Sequence, residues 1–213
     1  YFFKLDSDDY LLKDSLNKIN ESILNIRSIY SINEVYGFSF LSQSVTNKNL
    51  NEYQKLLKKG KKITNNIYLA DYISARFTNW ISGDLLDILP SKPVIDHFRY
   101  PMFTDENYAP TASISYFLSD YYKSKVAFIF STVLVKDYQL DGITKSRFKN
   151  NKHTSYGSTK AYLSANLWLL NYSKIKLFNY LIVFKEFTKL SIVLIIKNIL
   201  NILFAIIKKL KKW

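Results

Sequence analysis

Cysteine is absent from the 213 residues, and glycine and proline are scarce, with five and four copies. Without cysteine the chain can form neither a disulfide framework nor a zinc finger, and it has no thiol nucleophile. The sequence also lacks a phosphate-binding glycine loop, a Gly-x-Ser-x-Gly elbow and a His-Glu-x-x-His motif. Its two histidines, His97 and His153, lie in separate segments. Asp96 and His97 lie close to Arg99 in sequence, but no further residue completes an acid/base site with them. We therefore expect no enzyme, no metal and no cofactor.

Acidic residues are nearly absent from the C-terminal third. After Asp141 there are fourteen Lys or Arg and one acid, Glu186, and their net charge of +13 equals that of the whole protein. Residues 1–141 contain sixteen basic and sixteen acidic residues and are neutral. The charge therefore belongs to one end of the molecule, which indicates a large anionic or amphipathic partner.

Residues encoded by AT-rich codons are abundant. There are 26 Lys against 4 Arg, together with 18 Asn, 17 Tyr and 15 Phe. This usage predicts an AT-rich genome, such as that of an organelle, and codon bias alone raises the Lys content. The bias does not explain why the net charge lies at one end. Because 48% of the residues are hydrophobic and 16% aromatic, the chain can bury a core and is not a disordered protein.

Residues 1–89 are predicted to form a mainly helical body. Apolar residues recur there at alternating steps of four and three, which places them on one stripe of a helix: Leu12, Leu16, Ile19, Ile23, Ile26 and Tyr30. That stripe suits packing on a core, or pairing with a partner chain. Further helices are expected over 46–57 and 65–80, followed by a short helical turn at 85–89.

Five lysines surround Gly60 in eight residues: Lys55, Lys58, Lys59, Lys61 and Lys62. Cations at the end of a helix complement its dipole. Since five exceed that need, this cluster is also a candidate for phosphate contacts.

The segment from 90 to 112 contains all four prolines and is predicted to be an irregular connector. Residues 113–172 are expected to form a helix followed by strands. Val126 to Val135 is β-branched and aromatic, as in a buried strand, whereas 161–169 alternates apolar and polar residues. We expect these two to pair as an antiparallel ribbon.

The loop between these two predicted strands is long and basic, with no acid between Gly142 and Gly157. Its candidate RNA contacts are Lys145, Arg147, Phe148, Lys149, Lys152 and Tyr156. A solvated surface loop is the alternative.

A basic, hydrophobic helix is predicted over 173–213. Its apolar part, 190–207, has about the minimum length for spanning a bilayer, but Lys197 makes insertion marginal. The helix is amphipathic, and it suits either a membrane interface or burial among partner subunits. The candidate contacts are Ile195, Ile199, Ile202, Phe204, Ile206, Lys208, Lys209, Lys211, Lys212 and Trp213.

Together these patterns predict an α+β protein with a helical N-terminal part, a two-stranded ribbon carrying a basic loop, and a C-terminal amphipathic helix. In its Lys, Asn, Ile, Tyr and Phe usage, with a β-ribbon and a basic extension, the chain resembles ribosomal proteins encoded by AT-rich mitochondrial genomes. The resemblance is one of general style and transfers no individual residue.

The function that we expect is that of a structural subunit of a mitochondrial ribosome, located in the matrix and contacting rRNA and neighbouring ribosomal proteins. The alternative is an accessory subunit of an inner-membrane respiratory complex, anchored by the C-terminal helix. A soluble interaction module ranks third. In either of the first two cases the chain belongs to a larger assembly.

Overall fold

The computed structural model describes residues 1–6, 9–43, 60–77, 85–99 and 112–136, together with helical positions between 181 and 200. The chain divides into two compact units, one comprising Tyr1–Arg99 with Ile114–Lys145 and the other Tyr100–Ser113 with Ser146–Trp213. The first unit contains a six-stranded mixed sheet with helices, so the chain belongs to the α+β class.

The described strands and helices follow one another along the chain. The strands are β1 (Asp9–Leu11), β2 (Val35–Ser42), β3 (Lys61–Thr64), β4 (Ile67–Ala70), β5 (Leu85–Ile88) and β6 (Lys125–Lys136). The helices are α1 (Ser15–Arg27), α2 (Tyr72–Phe77), α3 (Ser91–His97) and α4 (Ala112–Tyr122).

Strand β6 is the centre of the sheet. It runs parallel to β2 and antiparallel to β4 and β1, and the order across the sheet is β3-β4-β6-β2-β5. Its β-branched and aromatic residues suit a strand that is covered on both faces. The prediction of a buried strand here is confirmed, and so is the helix predicted just before it, which is α4.

Helices cover both faces of the sheet. On one face, Ile19 and Ile26 of α1 belong to the same buried cluster as Phe38 and Phe40 of β2. On the other face, Ala75 of α2 and Leu118 of α4 belong to a cluster with Tyr36 and Phe128. All eight residues of β2 are buried, because the strand lies between neighbouring strands and between two layers of helices.

Gly37 allows β2 and β5 to approach closely. A Cβ atom at this position would lie 3.2 Å from both the Ile88 carbonyl oxygen and the Leu89 Cδ2 atom. Those distances are tighter than ordinary contact, so a side chain here would push the strands apart.

The predicted helical N-terminal part is wrong, because strands β1 to β5 all lie within the first 89 residues. The helix expected over 65–80 contains β4 and then α2. The break between them is at Asp71, whose carboxylate accepts a hydrogen bond of 2.8 Å from the Ser74 backbone amide and caps α2. The turn expected at 85–89 is strand β5, since a short apolar run fits either conformation.

Two further predictions are changed by the structure. The first helix is present as α1, but it is shorter than expected, and Leu16 of its predicted stripe is 60% exposed. Residues 91–97 of the predicted connector form α3. The predicted two-stranded ribbon is not matched, because β6 pairs with β1, β2 and β4. The segments 46–57 and 161–169 lie outside the described residues.

The described positions between 181 and 200 are helical, and most of their large apolar side chains are exposed. Ile195 and Ile199 are 58% and 51% exposed. Within the part of the chain that the structure describes, no helix combines the length and the apolar character needed to cross a membrane.

Candidate functional site

The edge strand β3 carries two exposed lysines, Lys61 and Lys62. Lys61 is the register partner of Leu69, and Lys62 is the partner of Tyr68, so the two lysines project from opposite faces of the sheet. Lysine on an edge strand discourages pairing with a foreign strand, and this is a sufficient structural reason for the pair. The two ammonium groups are also accessible to an anionic partner.

Lys61 lies beside an aromatic ring and a carboxylate. Its Nζ atom is 5.5 Å from the centroid of Tyr30. The Glu34 carboxylate accepts hydrogen bonds of 2.9 Å from the backbone amide and the hydroxyl of Ser31. These bonds, with a smaller contribution from the charge of Lys61, hold the pKa of Glu34 below its usual value. The Glu34 carboxylate is therefore charged, and it accepts its hydrogen bonds from a residue of the same turn.

A second feature of the same unit is an open groove of about 730 Å³. It is bounded by the chain before β2, by α3 and by the end of α4. Its walls include Tyr1, Asn33, Lys92, His97, Tyr121 and Tyr122. The groove thus combines aromatic rings with an amide and an ammonium group, which is a mixture that suits small polar ligands with a flat ring.

The rings of the groove form a connected platform. His97 and Tyr121 have centroids 5.8 Å apart and planes inclined by 25°. Tyr122 meets Tyr121 edge to face at 5.1 Å, and it stacks on the buried ring of Tyr36 at 5.4 Å. Because Tyr36 is fully buried, the platform is fixed to the core of the protein.

Arg27 holds Tyr1 in the wall of the groove. Its Nε atom donates a hydrogen bond of 2.7 Å to the Tyr1 hydroxyl, and its guanidinium carbon lies 5.4 Å from the Tyr1 ring centroid. The guanidinium also lies 4.9 Å from the ring centroid of the core residue Phe38. Partial burial, followed by the nearby phenols of Tyr121 and Tyr1, raises the pKa of Tyr122. At neutral pH the Tyr122 hydroxyl is uncharged and can donate or accept a hydrogen bond.

The charged pair of the groove is exposed. Lys92 Nζ lies 3.0 Å from Asp96 Oδ2, and the Lys92 side chain is 89% exposed. An exposed pair of this kind contributes about 0 to 1 kcal/mol and separates easily. Lys92 can therefore leave Asp96 for a more strongly charged anion.

A polar network lies between the sheet and the helices α2 and α4. The Tyr72 hydroxyl donates a hydrogen bond of 2.7 Å to Asp87 Oδ2, and the Ser39 hydroxyl donates to Asp87 Oδ1. Tyr36 and Ser119 share a hydrogen bond of 2.6 Å. Burial, with an added contribution from the charge of Asp87, raises the pKa of Tyr72 far above its usual value. Such a phenol does not ionise in the working range, so we regard the network as structural.

Among the described residues there is no group of three or more His, Cys, Asp or Glu that could hold a metal ion.

Four of the predicted site residues are described by the structure. Lys61 and Lys62 lie in β3, and Ile195 and Ile199 lie on the exposed helical positions of the second unit. The others lie outside the described residues: Lys55, Lys58, Lys59, Lys145, Arg147, Phe148, Lys149, Lys152, Tyr156, Ile202, Phe204, Ile206, Lys208, Lys209, Lys211, Lys212 and Trp213.

The aromatic groove was missed by sequence reasoning. Tyr121 lies in α4 and is 50% exposed, and His97 was considered only as a catalytic group. The available signal was the Tyr121-Tyr122-Lys123 triplet at the end of a helix. Its relation to His97 and Tyr1 depends on the sheet topology, which the sequence pattern did not predict.

No protein-family model, curated protein or solved structure matches this chain.

Proposed function

We propose that this chain is a non-catalytic structural subunit of a mitochondrial ribosome that contacts rRNA. The observation that carries the proposal is the exposed lysine pair on the edge strand β3. It is supported by the net charge of +13 contributed by the residues after Asp141. Phosphate contacts by Lys release counterions from RNA and supply most of its sequence-independent affinity.

The position of Lys61 and Lys62 suits contact with an RNA backbone. Both faces of the sheet are covered by helices, so its exposed surfaces are its edges and the loops at its ends. On the edge strand the two lysines project in opposite directions, which allows them to contact two different phosphates. The nearby ring of Tyr30 offers a stacking surface beside Lys61.

In this proposal the residues after Asp141 also take part in contacts with the assembly. The loop that contains Lys145, Arg147, Lys149 and Lys152 contacts rRNA, and the C-terminal helix packs against a neighbouring ribosomal protein. The exposed side chains of Ile195 and Ile199 support such packing, because a large exposed apolar surface marks an interaction site.

The test is sedimentation of a native lysate, with this chain followed by mass spectrometry. We expect the chain to migrate with a particle that RNase destroys and that mild detergent leaves intact. The Lys61→Glu, Lys62→Glu double variant should shift most of the chain from the particle to the free fraction. The matched control is Lys13→Glu, Lys18→Glu, which changes the net charge equally at two exposed positions away from β3. If both variants remain on the particle equally, β3 does not contact RNA.

An accessory subunit of an inner-membrane respiratory complex is the second candidate. The exposed Ile195 and Ile199 favour it, because apolar helical residues also suit a lipid interface. Its distinguishing result is a chain that remains with membranes through high salt and RNase and is released by detergent. Truncation after Lys189 would then release the protein, whereas the β3 variant would stay bound.

A further inference from the structure

The groove beside α3 contains the groups that bind an unpaired nucleotide. The rings of His97 and Tyr121 stack nearly parallel to each other in the aromatic platform, and both side chains are exposed. A nucleobase can stack on such a platform whatever its sequence, because every base has a π face. The Asn33 amide can exchange hydrogen bonds with the edge of a base. These groups recognise a ring, an edge and, through Lys92, a phosphate.

Charge at this end of the sheet favours an anionic ligand. The register places Val35 beside Lys125, so Lys125 of β6 lies at the end of the sheet where β2 begins. Lys125 is exposed, and its backbone amide donates a hydrogen bond of 3.2 Å to the carbonyl of Glu34, the residue after Asn33. Lys92 lines the groove itself, and its exposed ammonium group is available to the phosphate of a bound nucleotide.

The acids next to the groove, Glu34 and Asp96, each have partners of their own. The Glu34 carboxylate accepts two hydrogen bonds from Ser31, and Asp96 forms the exposed pair with Lys92. Replacing Asp96 by a phosphate would give Lys92 a partner of higher charge.

We infer that this groove binds a single unpaired nucleotide of RNA, with its base stacked on Tyr121 and its phosphate near Lys92. The inference rests on the proposed function for the identity of the polymer, but it concerns a surface separate from β3. A proline-rich peptide also docks on exposed tyrosines. The exposed Lys92 favours the nucleotide, because a peptide of that kind needs no phosphate contacts.

The experiment measures binding of a fluorescent single-stranded oligouridylate to the purified full chain by anisotropy, at high salt so that the basic segments contribute less. Tyr121→Ala removes the ring on which the base stacks. We expect this variant to weaken binding about tenfold, which is the order of magnitude that stacking of one base on a ring contributes to affinity. Tyr121→Phe keeps the ring and should restore most of the affinity. The matched control is Tyr10→Ala, since Tyr10 is 54% exposed and lies in β1, at the opposite end of β6.

The outcomes separate this inference from the proposed function. If the wild type binds RNA and Tyr121→Ala equals Tyr10→Ala, the groove does not bind a nucleotide, while the contact through β3 stands. If RNA binding is absent, the protein is titrated with uridine monophosphate and the His97 NMR signals are followed. A change in these signals that is absent in Tyr121→Ala supports nucleotide binding in the groove and overturns RNA as the partner. No response to the nucleotide, or Tyr121-dependent binding of a proline-rich peptide in its place, overturns the inference.

Discussion

Two buried tyrosines show how single polar groups fix the packing of helices on this sheet. Tyr36 shares its hydroxyl hydrogen bond with Ser119 of α4, and Tyr72 of α2 donates to Asp87 of β5. A buried hydroxyl without a partner is costly, so each bond favours one position of the helix over others. Burial raises the pKa of both phenols, and the two groups are neutral in the folded protein.

Stability should therefore fall at alkaline pH. The ordinary pKa of tyrosine is 10.0, and the folded value of Tyr72 is higher. The protonated Tyr72 phenol contributes its full stabilisation below pH 10 and progressively less above pH 10. The reason is that, above pH 10, the phenol loses its proton in the unfolded chain but keeps it in the folded protein. Tyr72→Phe should make the free energy of unfolding less dependent on pH above 10. At pH 7 it should cost about 1.5 to 3 kcal/mol, because the lost hydrogen bond is to the charged Asp87 carboxylate.

Urea unfolding at pH 7 and above pH 10 tests this expectation. Tyr10→Phe is the control, since Tyr10 is exposed and its substitution should leave both measurements near those of the wild type. Equal pH dependence of Tyr72→Phe and wild type would show that the phenol does not remain protonated in the fold.

At the scale of elements, α1 shows where a helical repeat does and does not predict burial. Ile19 and Ile26 contact the sheet, as the stripe predicts. Leu16 belongs to the same stripe but is exposed, because it lies in the first turn of a helix that starts at Ser15. The Ser15 hydroxyl donates a hydrogen bond of 2.9 Å to the carbonyl of Val133 and fixes that start against β6.

A pair of substitutions should separate these two positions. Ile19→Ala removes buried methylenes from the cluster around Phe38 and is expected to cost about 2 to 4 kcal/mol of unfolding free energy. Leu16→Ala removes a similar volume from a largely exposed position and should cost less than about 0.5 kcal/mol. Chemical denaturation of both variants measures the difference, and equal losses would place Leu16 in the core.

The strands of the N-terminal half were harder to predict than its helix. Strand β2 follows α1 closely. Its Gly37 resembles a glycine that ends a helix, but in the structure Gly37 allows the carbonyl of Ile88 to approach β2 closely. Strand β5 is four residues long, and its Leu85, Leu86 and Ile88 fit a helical turn equally well. Among the described strands, only β6 is long and β-branched enough to be recognised without its partners. The decisive information for β2 and β5 is their mutual pairing, which a local pattern does not contain.

At the scale of the whole molecule, charge is the property that the sequence predicts best. Counting residues is enough to place the net charge of +13 after Asp141, and to predict an anionic partner. The groove could not be found by counting. Its rings come from Tyr1, His97 and Tyr121, which are far apart in the chain and meet only because of the order of the strands.

The proposed RNA contact predicts a strong dependence on salt. If Lys61, Lys62 and the four basic residues between 145 and 152 each contact a phosphate, the logarithm of the binding constant should fall with the logarithm of salt concentration with a slope of about −4. The Lys61→Glu, Lys62→Glu variant should reduce that slope by about 1.4 or more, whereas Lys13→Glu, Lys18→Glu should leave it nearly unchanged. Anisotropy titrations at several salt concentrations give both values, and a slope near zero would contradict phosphate contact.

The central position of β6 also sets the order in which the protein can form during synthesis. Strands β1 to β5 leave the ribosomal exit tunnel first, yet β6 is the strand that pairs with β1, β2 and β4. Until Lys125 to Lys136 have emerged, β2 and β4 present unpaired edges to other nascent chains. The sheet therefore closes in a late step that joins β6 to strands far upstream in the chain. A chain interrupted before β6 is an aggregation hazard more than a folding intermediate.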